Sequence, residues 1–329
     1  MNIVFVSEQG FVGKVPRDFK NMRTEYGWMS MLDAFHIPYF EVRENSSYST
    51  VIETADLIVF IPSKKNPELL RTALAIKNIP IAIMQEGPNY LWQDWGLEHQ
   101  LLYLAIIKQV ASIVFVHNEK DKEYFQGITK KPVIVLRTVM HTSDFKDWVH
   151  QDDRKSKVFI GGNMCSWYGG MNSYLSVMNN KTVTSVGFPS MGRKQSMEEI
   201  VMKQVDGRIE YLPYLEWADF MSKLNEYGIG IHLMPTAAAG SFSLNCAMLG
   251  IPCIGNKDDD TQRLLFPDLS IDVTRVDLAK ELLDKLLTDE SFYSEVTKKA
   301  LYSLKDFDIE EQKEYYQKTL QGILNGTLT

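Results

Sequence analysis

Residues 235–255 read PTAAAGSFSLNCAMLGIPCIG, and the fold turns on this stretch. An apolar strand ends at Pro235, a short helix runs into Leu249-Gly250, and a second strand begins with Ile251-Pro252-Cys253-Ile254-Gly255. Strand, helix and strand joined this closely form the βαβ unit of a parallel sheet. The helix start is polar for a segment that should bury itself: Gly240, Ser241 and Ser243 supply small side chains and hydroxyls, and Asn245 follows one turn in. Serine is among the preferred N-cap residues, which is one explanation. The other is that the unpaired N–H groups of the helix start, with these hydroxyls, receive an anion such as a diphosphate. A cap needs a single hydroxyl, so the surplus favours a ligand.

The same alternation runs through the chain. In the first half strands are expected at residues 2–7, 39–42, 57–62, 81–86, 112–117 and 133–137, separated by helices at 24–35, 67–77, 97–109 and 120–126. Residues 142–156 are polar and aperiodic and read as a linker. The pattern then restarts with strands at 157–162, 182–188, 209–214, 229–234, 251–256 and 269–273, with helices at 170–178, 217–227, 242–249, 277–287 and 291–304, and a last helix at 309–324. The expected class is therefore α/β, two doubly wound Rossmann-like halves facing across a cleft. The expected divisions are an acceptor-side domain at 1–145, a donor domain at 157–307 and a C-terminal helix at 308–329 that crosses back to the first domain.

Composition narrows the function classes. At 329 residues with 45% hydrophobic and 23% charged side chains, the chain can build two cores. No apolar run reaches the ~18 residues that span a bilayer, and NIVFVS has neither the basic flank nor the cleavage site of a signal peptide. Cys165, Cys246 and Cys253 have no metal-like spacing and imply a reducing compartment, so a cytoplasmic location is expected, the host's if the protein is phage-encoded. The net charge of −7 argues against a general polyanion binder. A local exception is GKVPRDFKNMR, where Lys14, Arg17, Lys20 and Arg23 stand against Asp18 alone. It is either a solvated loop or a phosphate-tracking surface.

Metal and nucleotide motifs are mostly excluded. The six histidines are scattered, no two of them at i,i+4, and Asp258-Asp259-Asp260 fits a turn or helix start better than a cation site. Neither GxGxxG after the first strand nor GxxxxGK[ST] occurs. A glycine loop does follow the first strand of each half, Gly10 and Gly13 in one, Gly161-Gly162-Asn163 in the other, where backbone could approach a phosphate or a sugar. Glu86 ends the strand IAIMQE before Gly87-Pro88, which places it at the sheet's carboxyl edge as a candidate general base. The alternative is a glutamate bonded to the backbone of the next turn. Trp92 and Trp95 beyond it are candidates for stacking on a base or sugar, or for packing.

With these residues in view, the chain resembles the GT-B glycosyltransferases over nearly its whole length, most closely in KVFIGGN, in the segment 208–235 and in the helix unit above. Many retaining members carry two glutamates in that unit, which here would fall at Ala237 and Asn245, and neither is acidic. A looser resemblance is to the phage β-glucosyltransferases that modify hydroxymethylcytosine in DNA. Their aspartate base corresponds to Glu86, but their arginines after the Gly-Gly turn are missing, so phosphate charge would fall to Arg193, Lys194 or Arg263. The resemblance implies a nucleoside diphosphate sugar, UDP-linked, as donor and no further cofactor. It implies base recognition by backbone near Tyr214 and Leu215, and an acceptor held by Lys14, Arg17, Lys20, Arg23, Trp92 and Trp95. Double-stranded DNA is then the expected partner, a surface or cell-wall glycan the rival acceptor, and a non-catalytic nucleotide or sugar binder the reading outside the enzymes.

Overall fold

Strands covered on both faces need unbroken apolar runs, and IVFV, LIVFI, IAIM and IVFV in the first half are such runs. The computed structural model describes residues 1–8, 10–44, 49–63, 68–84, 87–145, 152–189 and 197–327, and the chain divides into two units. Unit 1 comprises Met1–Phe19, Thr24–Val139 and Ile309–Thr329; unit 2 comprises Lys20–Arg23 and Met140–Asp308. Among the described residues no helix is long and apolar enough to cross a membrane.

Unit 1 is built on β1 (Ile3–Ser7), β2 (Phe35–Pro38), β3 (Leu57–Ile61), β4 (Ile81–Met84), β5 (Ile113–Val116) and β6 (Val133–Val135). All pairs are parallel, in the order β2-β1-β3-β4-β5-β6. The strand expected at 39–42 lies earlier, because Phe35 to Pro38 pair with Val4 to Ser7 and Tyr39–Glu44 is helical. Its signal was masked by a histidine: His36 is fully buried, with Nε2 2.8 Å from Ser7 Oγ and Nδ1 bonded to the Phe11 carbonyl. The final helix, Ile309–Leu324, belongs to this unit, and its Tyr316 hydroxyl donates to the Val135 carbonyl at 3.0 Å.

Unit 2 carries β7 (Lys157–Ile160), β8 (Ser185–Pro189), β9 (Ile209–Leu212), β10 (Ile229–His232), β11 (Cys253–Asn256) and β12 (Ser270–Ile271). They form a second parallel sheet in the order β12-β11-β10-β7-β8-β9. Strand order reverses between β7 and β10, and at such a switch point the crevice outside the carboxyl ends takes ligands. The stretch 142–156 is more than a linker. Its described parts form short 3-10 helices at Thr142–Phe145 and Asp152–Ser156, and the Thr142 hydroxyl donates to Asp308 Oδ2 at 2.7 Å.

Two devices fix the Ser241–Met248 helix. At its carboxyl end Arg154, 4% exposed, donates to the carbonyls of Leu249 at 3.1 Å and Gly250 at 3.5 Å, and to Asn225 Oδ1 at 2.7 Å just beyond the Trp217–Leu224 helix. At its start Gly240 has φ +71°, and a Cβ there would stand 2.4 Å from Thr261 Cβ and 2.6 Å from Asp259 Oδ1. Asp259 in turn caps the Asp260–Leu265 helix, accepting from the N–H of Thr261 at 3.0 Å and of Gln262 at 3.3 Å.

Replacing Arg154 by Met keeps the bulk but orphans several carbonyls, so urea unfolding should show a loss of about 2–4 kcal/mol. Asp259 gives a pH signature. Burial pushes its carboxyl from 3.8 up to about 7, against the two N–H donors that favour the charged form. The folded chain therefore keeps a proton that the unfolded chain releases, and stability from this group falls as pH rises from about 4 to 7. Asp259→Asn retains the capping oxygen, so its thermal midpoint should lack that decline and lie above that of the wild type at neutral pH.

Candidate functional site

Unit 2 contains a cavity of about 280 Å³ at the carboxyl ends of its strands. Gly161 lines it after β7, Pro189 at the end of β8, and Leu212, Pro213, Tyr214 and Leu215 at and beyond the end of β9. Ser241, Phe242 and Asn245 enter from the Ser241–Met248 helix, Trp217 and Phe220 from Trp217–Leu224, and Asn21, Met22 and Arg23 from the N-terminal segment.

Close packing sets this geometry. A Cβ on Gly161 would meet the Phe242 ring at 2.5 Å and His232 Cγ at 2.8 Å, so only glycine lets the helix start sit this near to β7. The N-cap of that helix is Gly240, with no side-chain cap, which leaves its first N–H groups without the serine bond that capping would supply. Asn245 is buried, and its Oδ1 accepts from Trp217 Nε1 at 3.1 Å, tying the two helices together across the cavity wall.

The segment Lys20–Arg23 is held here by backbone and side chain. The Ala218 N–H donates to the Lys20 carbonyl at 3.0 Å, which satisfies a first-turn group of a helix whose N-cap, Glu216, makes no side-chain cap bond. Asn21 Nδ2 and Arg23 Nη2 each donate to the Tyr214 hydroxyl at 3.4 Å. These bonds, Arg23's first, lower the pKa of that phenol from its ordinary value of 10.0.

Several residues singled out from sequence occupy other places. Ser243 is buried with its hydroxyl on Gln262 Oε1 at 2.6 Å, so it belongs to helix packing and Ser241 alone of the two serines lines the cavity. Gly162 packs on Tyr168, and Asn163 is buried with Oδ1 accepting from the Cys165 N–H at 3.3 Å. Arg263 pairs with Asp260 Oδ1 at 2.5 Å on its own helix and does not line the cavity. In unit 1, Gly10 lies against His36, whose ring would stand 2.4 Å from a Cβ, and Gly13 forms a β-bridge with His36, so this loop is shaped by the histidine.

Trp92 and Trp95 are corrected more strongly. Each is 7% exposed within the hydrophobic core of unit 1, with ring centroids 5.6 and 5.4 Å from Tyr103, so neither offers a face for a base or sugar. In the basic loop Lys14 pairs with Asp33 at 2.8 Å and Arg17 with Glu310 at 3.6 Å, while Lys20 and Arg23 belong to unit 2. Glu86, Arg193 and Lys194 lie outside the described residues. Among the described residues no group of three or more His, Cys, Asp or Glu could hold a metal ion.

Sequence reasoning passed over Trp217, Phe220, Asn21 and Met22. A tryptophan opening the helix after a strand end was a usable signal for Trp217. Asn21 left none, since its partner Tyr214 is 193 residues away.

No protein-family model matches the chain, and no curated protein matches it. Solved structures do. A sucrose-phosphate synthase from Thermosynechococcus elongatus is similar with a TM-score of 0.70 at 9% identity, covering 99% of this chain and 100% of that one. HepE of Anabaena in complex with UDP gives 0.67 at 12% identity over 98% and 100%. An alpha-glucosyltransferase in complex with UDP and a 13-mer DNA containing a HMU base gives 0.64 at 13% identity over 98% and 99%. At such identities the likeness concerns architecture: with two six-stranded parallel sheets and flanking helices matched from end to end, the chain has the GT-B fold.

Proposed function

We propose that the chain is a glycosyltransferase that takes a sugar from a nucleoside diphosphate sugar, with the donor held by unit 2. The observation that carries this reading is the cavity at the ends of β7, β8 and β9, where the first N–H groups of the Ser241–Met248 helix have no side-chain cap. Aromatic faces from Trp217, Phe220 and Tyr214 suit a base, backbone from Leu212 to Leu215 can recognise its edge, and a helix N-terminus favours phosphate. Two of the three similar structures hold UDP, which supports a uridine donor.

In the proposed reaction the acceptor oxygen bonds to the anomeric carbon as the carbon–oxygen bond to the diphosphate breaks. Glu86 takes the acceptor's proton, and the diphosphate leaves with the bonding pair, its charge met by the helix start at Ser241. As acceptor we favour 5-hydroxymethylcytosine in DNA. The support is the basic run Lys14, Arg17 and Lys20, together with the DNA-bound alpha-glucosyltransferase among the similar structures. A base inside the duplex would have to be flipped out to react. The ion pairs Lys14–Asp33 and Arg17–Glu310 engage two of those three cations, and they favour a second reading, a glycan acceptor.

Transfer from UDP-glucose onto hydroxymethylated and unmodified duplex DNA tests both. Glu86→Gln should bind UDP as the wild type does and lose transfer by about 100-fold or more, the usual scale of general-base loss. Full activity in that variant removes Glu86 from the role. Transfer to DNA should also fall about ten-fold or more between 50 and 200 mM salt, whereas transfer to a neutral glycan should be nearly unchanged. Failure to hydrolyse or transfer any donor, with UDP still bound, would favour a binding protein over an enzyme.

A further inference from the structure

We propose that Arg23 is the cation that meets the diphosphate of the donor in unit 2; the inference rests on the donor reading above and names a residue for it. From the sequence this arginine was grouped with an acceptor-facing basic loop. Its position is different. Lys20–Arg23 is a four-residue excursion that packs with unit 2, bracketed by Phe19 and Thr24 of unit 1. Lys14 and Arg17 stay in unit 1 with carboxylate partners.

Three observations point to an anion beside this side chain. Among the described residues Arg23 is the one charged residue lining the cavity, and no carboxylate lines it. The same cavity receives the Ser241–Met248 helix start, whose cap is a glycine, so two sources of positive potential converge on one space. The excursion is anchored: Met22 is buried, the Lys20 carbonyl accepts from Ala218, and Asn21 and Arg23 share the Tyr214 hydroxyl. An arginine held in this way is pre-oriented, and its planar fork of donors matches two phosphate oxygens. The base would lie among the aromatic residues, and the charge at the polar rim of Arg23 and Ser241.

The test uses the full chain with UDP and uridine as probes, read by calorimetry and by fluorescence of Trp217, which lines the cavity. Arg23→Ala should weaken UDP about 10- to 100-fold, as expected for a lost charge-assisted contact, and leave uridine within about three-fold. Arg23→Lys should recover part of the UDP affinity, because charge returns without the fork. UDP, but not uridine, should slow tryptic cleavage after Arg23. Equal loss of UDP and uridine would make the residue structural and overturn the proposal, as would unchanged UDP binding in Arg23→Ala. A wild-type chain that binds neither probe would remove the donor reading itself, and the assignment with it.

Discussion

The buried guanidinium of Arg154 is the constraint on which unit 2 depends. Helix carboxyl ends carry unpaired carbonyls and partial negative charge, and two such ends converge at Asn225 and at Leu249-Gly250. Arg154 serves both with one rigid fork of donors, a task that a lysine, with a compact ammonium, does poorly. Burial lowers its pKa, while Tyr293 works in the opposite direction, and the Tyr293 hydroxyl donates to the Gly228 carbonyl at 2.8 Å. The near ends of the same two helices carry Trp217, Phe220, Ser241 and Asn245 into the cavity. A residue remote from the cavity wall thus sets the positions of four residues in it.

Between these ends the spacing is set by what is missing. Gly161 and Gly230 have no side chains where Phe242, His232 and Cys246 press against the sheet. The freed space is filled by rings: Phe159 stacks on Phe242 at 6.0 Å and meets Phe220 and Tyr227 edge-on at 5.7 and 5.0 Å. Glycine on the strand and aromatic on the helix act as a lock and its spacer. That arrangement leaves a helix start without a side-chain cap beside the cavity.

Most of the fold was legible because buried parallel strands write continuous apolar runs and their helices write a different period. The errors occurred where one residue hid the pattern. His36 made FHIP look unlike a strand, yet its ring is buried between Ser7 and the Phe11 carbonyl. The segment at 142–156 was polar and looked passive because a buried arginine is indistinguishable from an exposed one until its carbonyl partners are known. Trp92 and Trp95 show the converse, since an aromatic residue after a strand end serves core and ligand equally well in a string of letters. For the cavity, the polar helix start at Ser241 was readable from local sequence, whereas the segment Tyr214-Leu215 came only through the resemblance. The excursion at Lys20–Arg23 was not, because its identity rests on contacts that no local pattern encodes.

That excursion also bears on how the chain is made. Arg23 leaves the ribosome 191 residues ahead of its partner Tyr214, and the Ser241–Met248 helix follows later still. Contacts of such separation form late, since the loop they close must first be ordered. The first unit is also incomplete until Ile309–Leu324 emerges. Neither unit can therefore finish folding as a contiguous piece during synthesis, and residues 140–308 expressed alone would lack part of the wall that makes the cavity a site.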